Sequence, residues 1–325
     1  MARIARSAAG GDHFGGSPLR AAHARNPRPA GEPCATAATT GEFRSGERGA
    51  GVWSSERMDP EGKVIVVTGA AGGIGGALVR ALLERGAAKV VAVDLDGAGA
   101  ERLSAELGAE RVPARTLDVT DEAATRALVA ELGETVGPID VWFANAGLAT
   151  GTGPEDGDED WNRQWRVNVM SHVYAARALL PGWTERGGGH LVTTASMAGI
   201  LTAAGDAAYS TTKHAAVGFA EWLAFSYADR GVRVSCICPG AVDTAMLRAG
   251  GDGDAAKASA AIGGGEVLAP EQAAERVMAA LADDAFLILT HPEMHEFAVG
   301  KAENPQRWIR GMAKLRARAL ALLAQ

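Results

Sequence analysis

From Lys63 onward, short apolar runs alternate with amphipathic stretches. Val64-Ile-Val-Val-Thr68 is a continuous β-branched run, the pattern of a strand buried on both faces. A glycine-rich turn follows, then a helical stretch over Gly73–Glu84 and a second apolar run, Lys89–Asp94. Further strands are predicted at Val112–Leu117, Ile139–Ala144, His190–Thr194, Val232–Cys238 and Phe286–Thr290. Helices are predicted near Ala98–Leu107, Glu122–Val136, Asn162–Glu185, Ala208–Asp229 and Pro270–Ala282. Strands alternating with helices over about 230 residues predict an α/β fold. The expected architecture is a doubly wound parallel sheet of about seven strands, helices on both faces, in a single domain spanning 58–300.

The two ends of the chain read differently. Residues 1–57 hold eight Arg, no Lys, nine Gly and four Pro, with no sustained period of 2 or 3.6. Such a segment cannot bury enough surface to offset its ordering entropy. It reads as a flexible tail or as sequence upstream of a true start at Met58. A transit peptide fits less well, because Asp12, Glu32, Glu42, Glu47 and Glu56 interrupt it. At the other end, 301–325 reads as an amphipathic helix, with Asn304 as cap and Pro305 at the first helical position. Trp308, Met312, Leu315, Ala319 and Leu322 repeat at helical spacing opposite Arg307, Arg310, Lys314, Arg316 and Arg318. It is expected to pack over a substrate pocket or a subunit partner rather than on a membrane surface.

Composition narrows the function classes. The 325 residues are 47% hydrophobic and include 42 Gly, so the chain has ample core material. A net charge of -7 argues against binding nucleic acid through its phosphates, and residues 58–325 alone carry -10. The uncharged run Val64–Val79 is 16 residues and glycine-loaded, short of a membrane span. A cytoplasmic protein is expected. Three cysteines make no disulfide framework, and Cys236 and Cys238 are expected on opposite faces of their strand as separate buried thiols. The histidines show no ligand spacing, so no metal site is predicted.

The turn Thr68-Gly-Ala-Ala-Gly-Gly-Ile-Gly75 stands between a buried strand and a helix. There Gly69 permits the tight turn, Gly73 lets backbone approach a pyrophosphate, and Gly75 lets the helix pack on the strand. Asp94 ends the second strand, where its carboxylate can accept both hydroxyls of an adenosine ribose. Leu95 and Asp96 follow it, and no flanking cation would receive a 2′-phosphate. NAD is therefore expected in preference to NADP.

Together with that turn, Ala144-Asn-Ala-Gly147, Asn168, Ser196, Tyr209-Ser-Thr-Thr-Lys213 and Pro239-Gly240 resemble the short-chain dehydrogenase/reductase family, in its compact single-domain form. The resemblance runs from about Gly62 to Leu289 and implies a Rossmann-type sheet. One departure is Ala144, where many members have Asn. Tyr209 and Lys213 lie four apart on one helix face, and the ammonium beside the phenol, together with an oxidised nicotinamide, is expected to pull Tyr209 toward the working pH. Tyr209 would then exchange a proton with an alcohol or carbonyl, and Ser196 would hold the same oxygen. The resemblance assigns Asn168 a water that relays protons from Lys213. It also implies cofactor contacts at Ile74, Leu95, Asp118, Val119, Asn145, Ala146 and Gly147. Further contacts are implied at Pro239, Gly240, Val242 and Thr244, with Tyr209 and Lys213 touching the cofactor as well as the substrate.

Substrate is expected over the nicotinamide, between Leu148–Gly153, Met197–Ala203 and a glycine-flanked lid near 245–268. Met197, Leu201, Met246 and Leu247 suggest an apolar pocket, with no Arg placed to clamp a carboxylate. The predicted activity is hydride transfer between NAD(H) and a neutral, apolar secondary alcohol or ketone. Two rivals stand beside it: an NAD-binding sensor or scaffold without turnover, and a relative of sugar-nucleotide epimerases or dehydratases. A homodimer or homotetramer is implied by the resemblance.

Overall fold

The computed structural model describes residues 57–249 and 266–323. The predicted tail therefore lies outside the described residues, apart from Arg57, and so does most of the predicted lid. Seven parallel strands form one sheet in the order β3-β2-β1-β4-β5-β6-β7. They are β1 Val64–Thr68, β2 Lys89–Asp94, β3 Ala114–Thr116, β4 Val141–Ala144, β5 Gly189–Thr194, β6 Val232–Cys238 and β7 Leu287–Leu289. The doubly wound α/β sheet expected from the alternation is present. β3 and β7 keep only three residues each because they lie at the sheet edges, where one side has no partner.

Period-2 alternation divides the core into two layers. Ile65 and Val67 of β1 join one cluster and Val66 the other; Val90 and Ala92 of β2 likewise oppose Val91 and Val93. One layer is closed by α1 (Gly73–Glu84), α2 (Gly97–Leu107) and α9 (Pro270–Ala282), which supply Leu78, Leu82, Leu103, Val277 and Leu281. The other is closed by α3 (Glu122–Thr135), α5 (Ser171–Glu185) and α7 (Ala207–Tyr227), through Leu132, Leu179, Trp183 and Leu223. Cys236 and Cys238 both belong to this second layer, with Sγ atoms 4.0 Å apart. The expectation of opposite faces is overturned, since residues two apart on a strand share a face.

The predicted helix over Asn162–Glu185 is broken in two. α4 (Asp158–Trp165) begins earlier, and a π-helical turn, Arg166–Met170, separates it from α5. Three further helices lack a sustained periodic stripe: α6 (Ala198–Leu201), α8 (Ala245–Ala249) and α10 (Met294–Glu303). In α10 the apolar residues Phe297, Ala298 and Val299 are consecutive rather than spaced by helical turns. The last helix, α11 (Pro305–Leu323), starts as predicted, with the Arg307 amide donating to Asn304 Oδ1 at 2.9 Å. No helix among the described residues is long and apolar enough to cross a membrane.

Candidate active site

The strand order reverses direction between β1 and β4, so the loops leaving these two strands part and open a crevice at their carboxyl ends. Thr68 and Asn145 join its two walls. The Thr68 hydroxyl donates to Phe143 O and accepts from the Asn145 and Ala146 amides at 2.9 and 3.1 Å. The Asn145 side chain donates to Thr68 O at 3.0 Å and accepts from Thr194 Oγ1 at 3.2 Å, which ties β1, β4 and β5 together.

The glycine turn has the form of a phosphate cradle. Gly69 and Gly73 have φ of +70° and +54°, which other residues rarely adopt. A side chain at Gly73 would meet the Thr244 methyl at 3.0 Å. No side chain caps α1 and its first turn holds no acid, whereas Asp96, Asp121 and Asp206 cap α2, α3 and α7. The uncapped amides and positive dipole end of α1 remain available to an anion. Asp94 stands beside this turn, accepting from Ala71 N at 2.8 Å and Asp96 N at 3.0 Å. Arg102 reaches Asp96 at 3.4 Å, so one of the two local carboxylates carries a counter-charge. These residues fit a dinucleotide.

The predicted catalytic residues converge. Ser196 follows β5, while Tyr209 and Lys213 occupy successive turns of α7; all three line one cavity of about 1290 Å³ together with Gly69, Gly73, Ile74 and Gly75. Asn145, Ala146, Gly147, Pro239, Gly240, Val242 and Thr244 line the same cavity. Asp94, Leu95, Asp118, Val119 and Asn168 do not. Leu95 is 69% exposed beside the turn, Asp118 closes a local turn by accepting from Thr120, and Val119 packs on the core. Thr244 Oγ1 accepts from Leu247 N at 3.3 Å and so caps α8.

Asn168 sits fully buried in the π-helical turn, a distortion that often marks functional sites. Its amide donates to Leu148 O at 2.8 Å and Thr212 Oγ1 at 3.1 Å, and its oxygen accepts from Leu148 N at 2.9 Å. Lys213 Nζ donates to Thr194 O at 2.9 Å, and burial lowers its pKa to about 8. Ser196 and Tyr209 line the cavity together, and the serine hydroxyl draws the phenol down. Burial nevertheless pushes the Tyr209 phenol up, and the Asp206 and Cys238 charges act in the same direction. The downward pull expected from Lys213 is therefore not what the protein's own residues produce: Nζ lies 5.6 Å from the ring centroid and is engaged by the Thr194 carbonyl.

Asp206 escaped the sequence reading, although a carboxylate three residues before Tyr209 is a recognisable helix cap. Its buried carboxylate accepts from the Tyr209, Thr150 and Gly151 amides at 2.8, 3.1 and 2.8 Å, and from Gln164 Nε2 at 3.3 Å. One side chain thus joins the tyrosine helix to the substrate loop and to α4.

A family model described as short chain dehydrogenase matches residues 63–254. The chain belongs to the short-chain dehydrogenase family. It is 38% identical over 242 residues to 1-deoxy-11-beta-hydroxypentalenate dehydrogenase of Streptomyces exfoliatus, covering 73% of this chain and 86% of that protein. A short-chain dehydrogenase/reductase from Burkholderia phymatum, solved with NAD, superposes with a TM-score of 0.69 at 29% identity over 77% of this chain and 96% of its own. One from Burkholderia cenocepacia J2315, solved with NADP, gives 0.67 at 26% identity over 78% and 99%. The family's oxidoreductases act on hydroxyl and keto groups with a nicotinamide cofactor.

In this short-chain dehydrogenase the cavity extends well beyond the catalytic residues. Met294 and Phe297 of α10 and Trp308, Met312 and Leu315 of α11 form an outer wall facing Met197, Leu201, Met246 and Leu247. The Phe297 and Trp308 rings lie 6.4 Å apart, and Lys301 donates to Ile200 O, fastening α10 to the segment after Ser196. Arg307 and Arg316 also line the cavity. The C-terminal helix, expected over a substrate pocket or a subunit partner, lies along the cavity and brings these two arginines to it.

Proposed function

We propose that this protein transfers hydride between NAD(H) and an apolar secondary alcohol or ketone, with Tyr209 as general acid/base. The observation that carries this reading is that Ser196, Tyr209 and Lys213 share one cavity with the glycine turn, at the carboxyl ends of parallel strands. When bound, the nicotinamide supplies the hydride chemistry. The chain's residues do the rest. Ser196 and Tyr209 present two hydroxyls to the substrate oxygen, and the proton moves between that oxygen and the Tyr209 hydroxyl. Burial favours the neutral phenol, which suits donation to a carbonyl. Lys213, buried and held by Thr194, carries positive charge along one side of the phenol. Asn168 fixes Leu148 and Thr212, and with them the spacing between the substrate loop and α7.

The NAD preference rests on Asp94 and Asp96, whose two carboxylates against one Arg102 would repel a 2′-phosphate. The substrate reading rests on the aromatic and aliphatic outer wall and on the relative named for a hydroxypentalenate. Homo-oligomerisation is supported by the outward Trp222 and Phe225 of α7, 51% and 67% exposed, beside the exposed Trp165 of α4. Light scattering of the purified protein tests that point. The function is tested by following reduced cofactor with a panel of secondary alcohols and ketones. Turnover is expected with NAD, at higher kcat/KM than with NADP. Cofactor binding without turnover of any panel member would instead identify a sensor.

A further inference from the structure

The outer wall of the cavity has a second side. Pro305–Leu323 contains Arg307, Arg310, Lys314, Arg316 and Arg318 and no acid, in a chain of net charge -7. Three of these cations, Arg307, Arg310 and Lys314, line a shallow groove with Asn304, Gln306 and Gly311, and among the described residues no carboxylate lines it. Their spacing of three and four residues stacks them on one face of the helix, over about 10 Å. They occupy the first turns of α11, the positive end of its dipole.

Two observations connect this groove to the substrate. Asn304, Arg307 and Gly311 line both the groove and the reaction cavity, so the groove adjoins the cavity. Three arginines elsewhere are matched to carboxylates: Arg80 to Glu106, Arg85 to Glu275 and Arg115 to Glu131, at 2.6–2.7 Å. Among the described residues, Arg307, Arg310 and Lys314 have no ion-pair partner. The cavity interior is different, since Glu296 and Glu303 of α10 line it alongside Arg307 and Arg316. The charges that α10 and α11 bring to the cavity are thus balanced, whereas those at the groove are all positive.

We propose that the substrate carries an anionic oxygen group, a carboxylate or a phosphate, which the Arg307–Arg310–Lys314 groove holds while its apolar body fills the cavity. This rests on the dehydrogenase reading and specifies its substrate class. Arg310 and Lys314 lie outside the cavity lining and are specificity-determining residues, apart from the catalytic machinery.

The test is calorimetric titration of the NAD-loaded enzyme with matched probes. These are a 3-hydroxycholanoic acid and its methyl ester, 12-hydroxyoctadecanoic acid and its methyl ester, and 3-hydroxydodecanoyl coenzyme A. Each exposed ion pair strengthens binding by a few-fold at most, so a preference of about fivefold or more for a charged probe over its ester is expected at low salt. It should fall toward one in 0.5 M salt and in R310Q/K314Q, persist in R310K/K314R, and leave ester affinity unchanged. A preference for the free acids marks a carboxylate, and one confined to the thioester marks a phosphate. Equal binding of charged and neutral probes, no binding of any, or a preference that survives R310Q/K314Q overturns the proposal. Formation of NADH from a bound ester reports separately on the dehydrogenase reading.

Discussion

Asp206 offers a sharp perturbation because its carboxylate serves three segments at once. In Asp206→Ala, α7 loses the cap at Tyr209 N, worth about 1 kcal/mol. The Thr150 and Gly151 amides lose their acceptor, at about 1 kcal/mol each. The total is about 3 kcal/mol. For a domain of this size it corresponds to a fall in Tm of about 6–10 °C, read by circular dichroism. Asp206→Ser keeps a capping oxygen and should recover about 2–4 °C of that. A second readout separates position from mere stability. The Asp206 charge pushes the Tyr209 phenol up, so Asp206→Asn lowers it, and the pH dependence of kcat/KM for alcohol oxidation moves toward acid. The charges around this phenol are Lys213 on the same helix and the Cys238 thiol on β6, neither of which the substitution alters. A Tm within 2 °C of wild type for Asp206→Ala, or an unmoved pH profile for Asp206→Asn, would refute the reasoning.

Other outcomes follow from the same structure. Asp94→Ala removes a carboxylate beside the glycine turn and should raise kcat/KM with NADP relative to NAD by tenfold or more, on the order of 1.4 kcal/mol; an unchanged ratio contradicts the assigned role. His172 and His190 are fully enclosed, and burial lowers each pKa to about 3. Both stay neutral in the fold while the unfolded chain takes up protons below about pH 6.5, so their contribution is whole above that pH and is lost as pH falls toward 3. Between pH 7 and 5 each should cost about 2 kcal/mol, and urea unfolding of His172→Gln should show a shallower decline with acid than wild type.

Much of the fold was legible because burial on both faces leaves a direct mark. β1, β2, β6, α1 and α9 begin and end at the predicted residues, since β-branched runs, glycine turns and Pro270 leave little choice of boundary. The shortening of β3 and β7 was not legible, because edge position is a property of strand order. Neither was the π-helical turn at Asn168, whose apolar and polar spacing passes for continuous helix. At the site, residues joined by spacing on one element were recognised together, such as Tyr209 and Lys213. Asp206 and Gln164 were not, because their partners lie across loops that only the folded chain brings near. The same holds for Arg307 and Arg316, which reach the cavity only because α11 turns back at Asn304.

The central claim is that Tyr209 carries the proton for hydride transfer at this site. The direct measurement compares wild type with Tyr209→Phe, reading cofactor turnover by absorbance and NAD affinity by calorimetry on the same preparations. The phenyl ring keeps the packing and removes only the phenol hydroxyl that faces the cavity. A loss of kcat by several orders of magnitude with NAD affinity changed less than about threefold is the predicted result. Turnover retained within tenfold of wild type would contradict it.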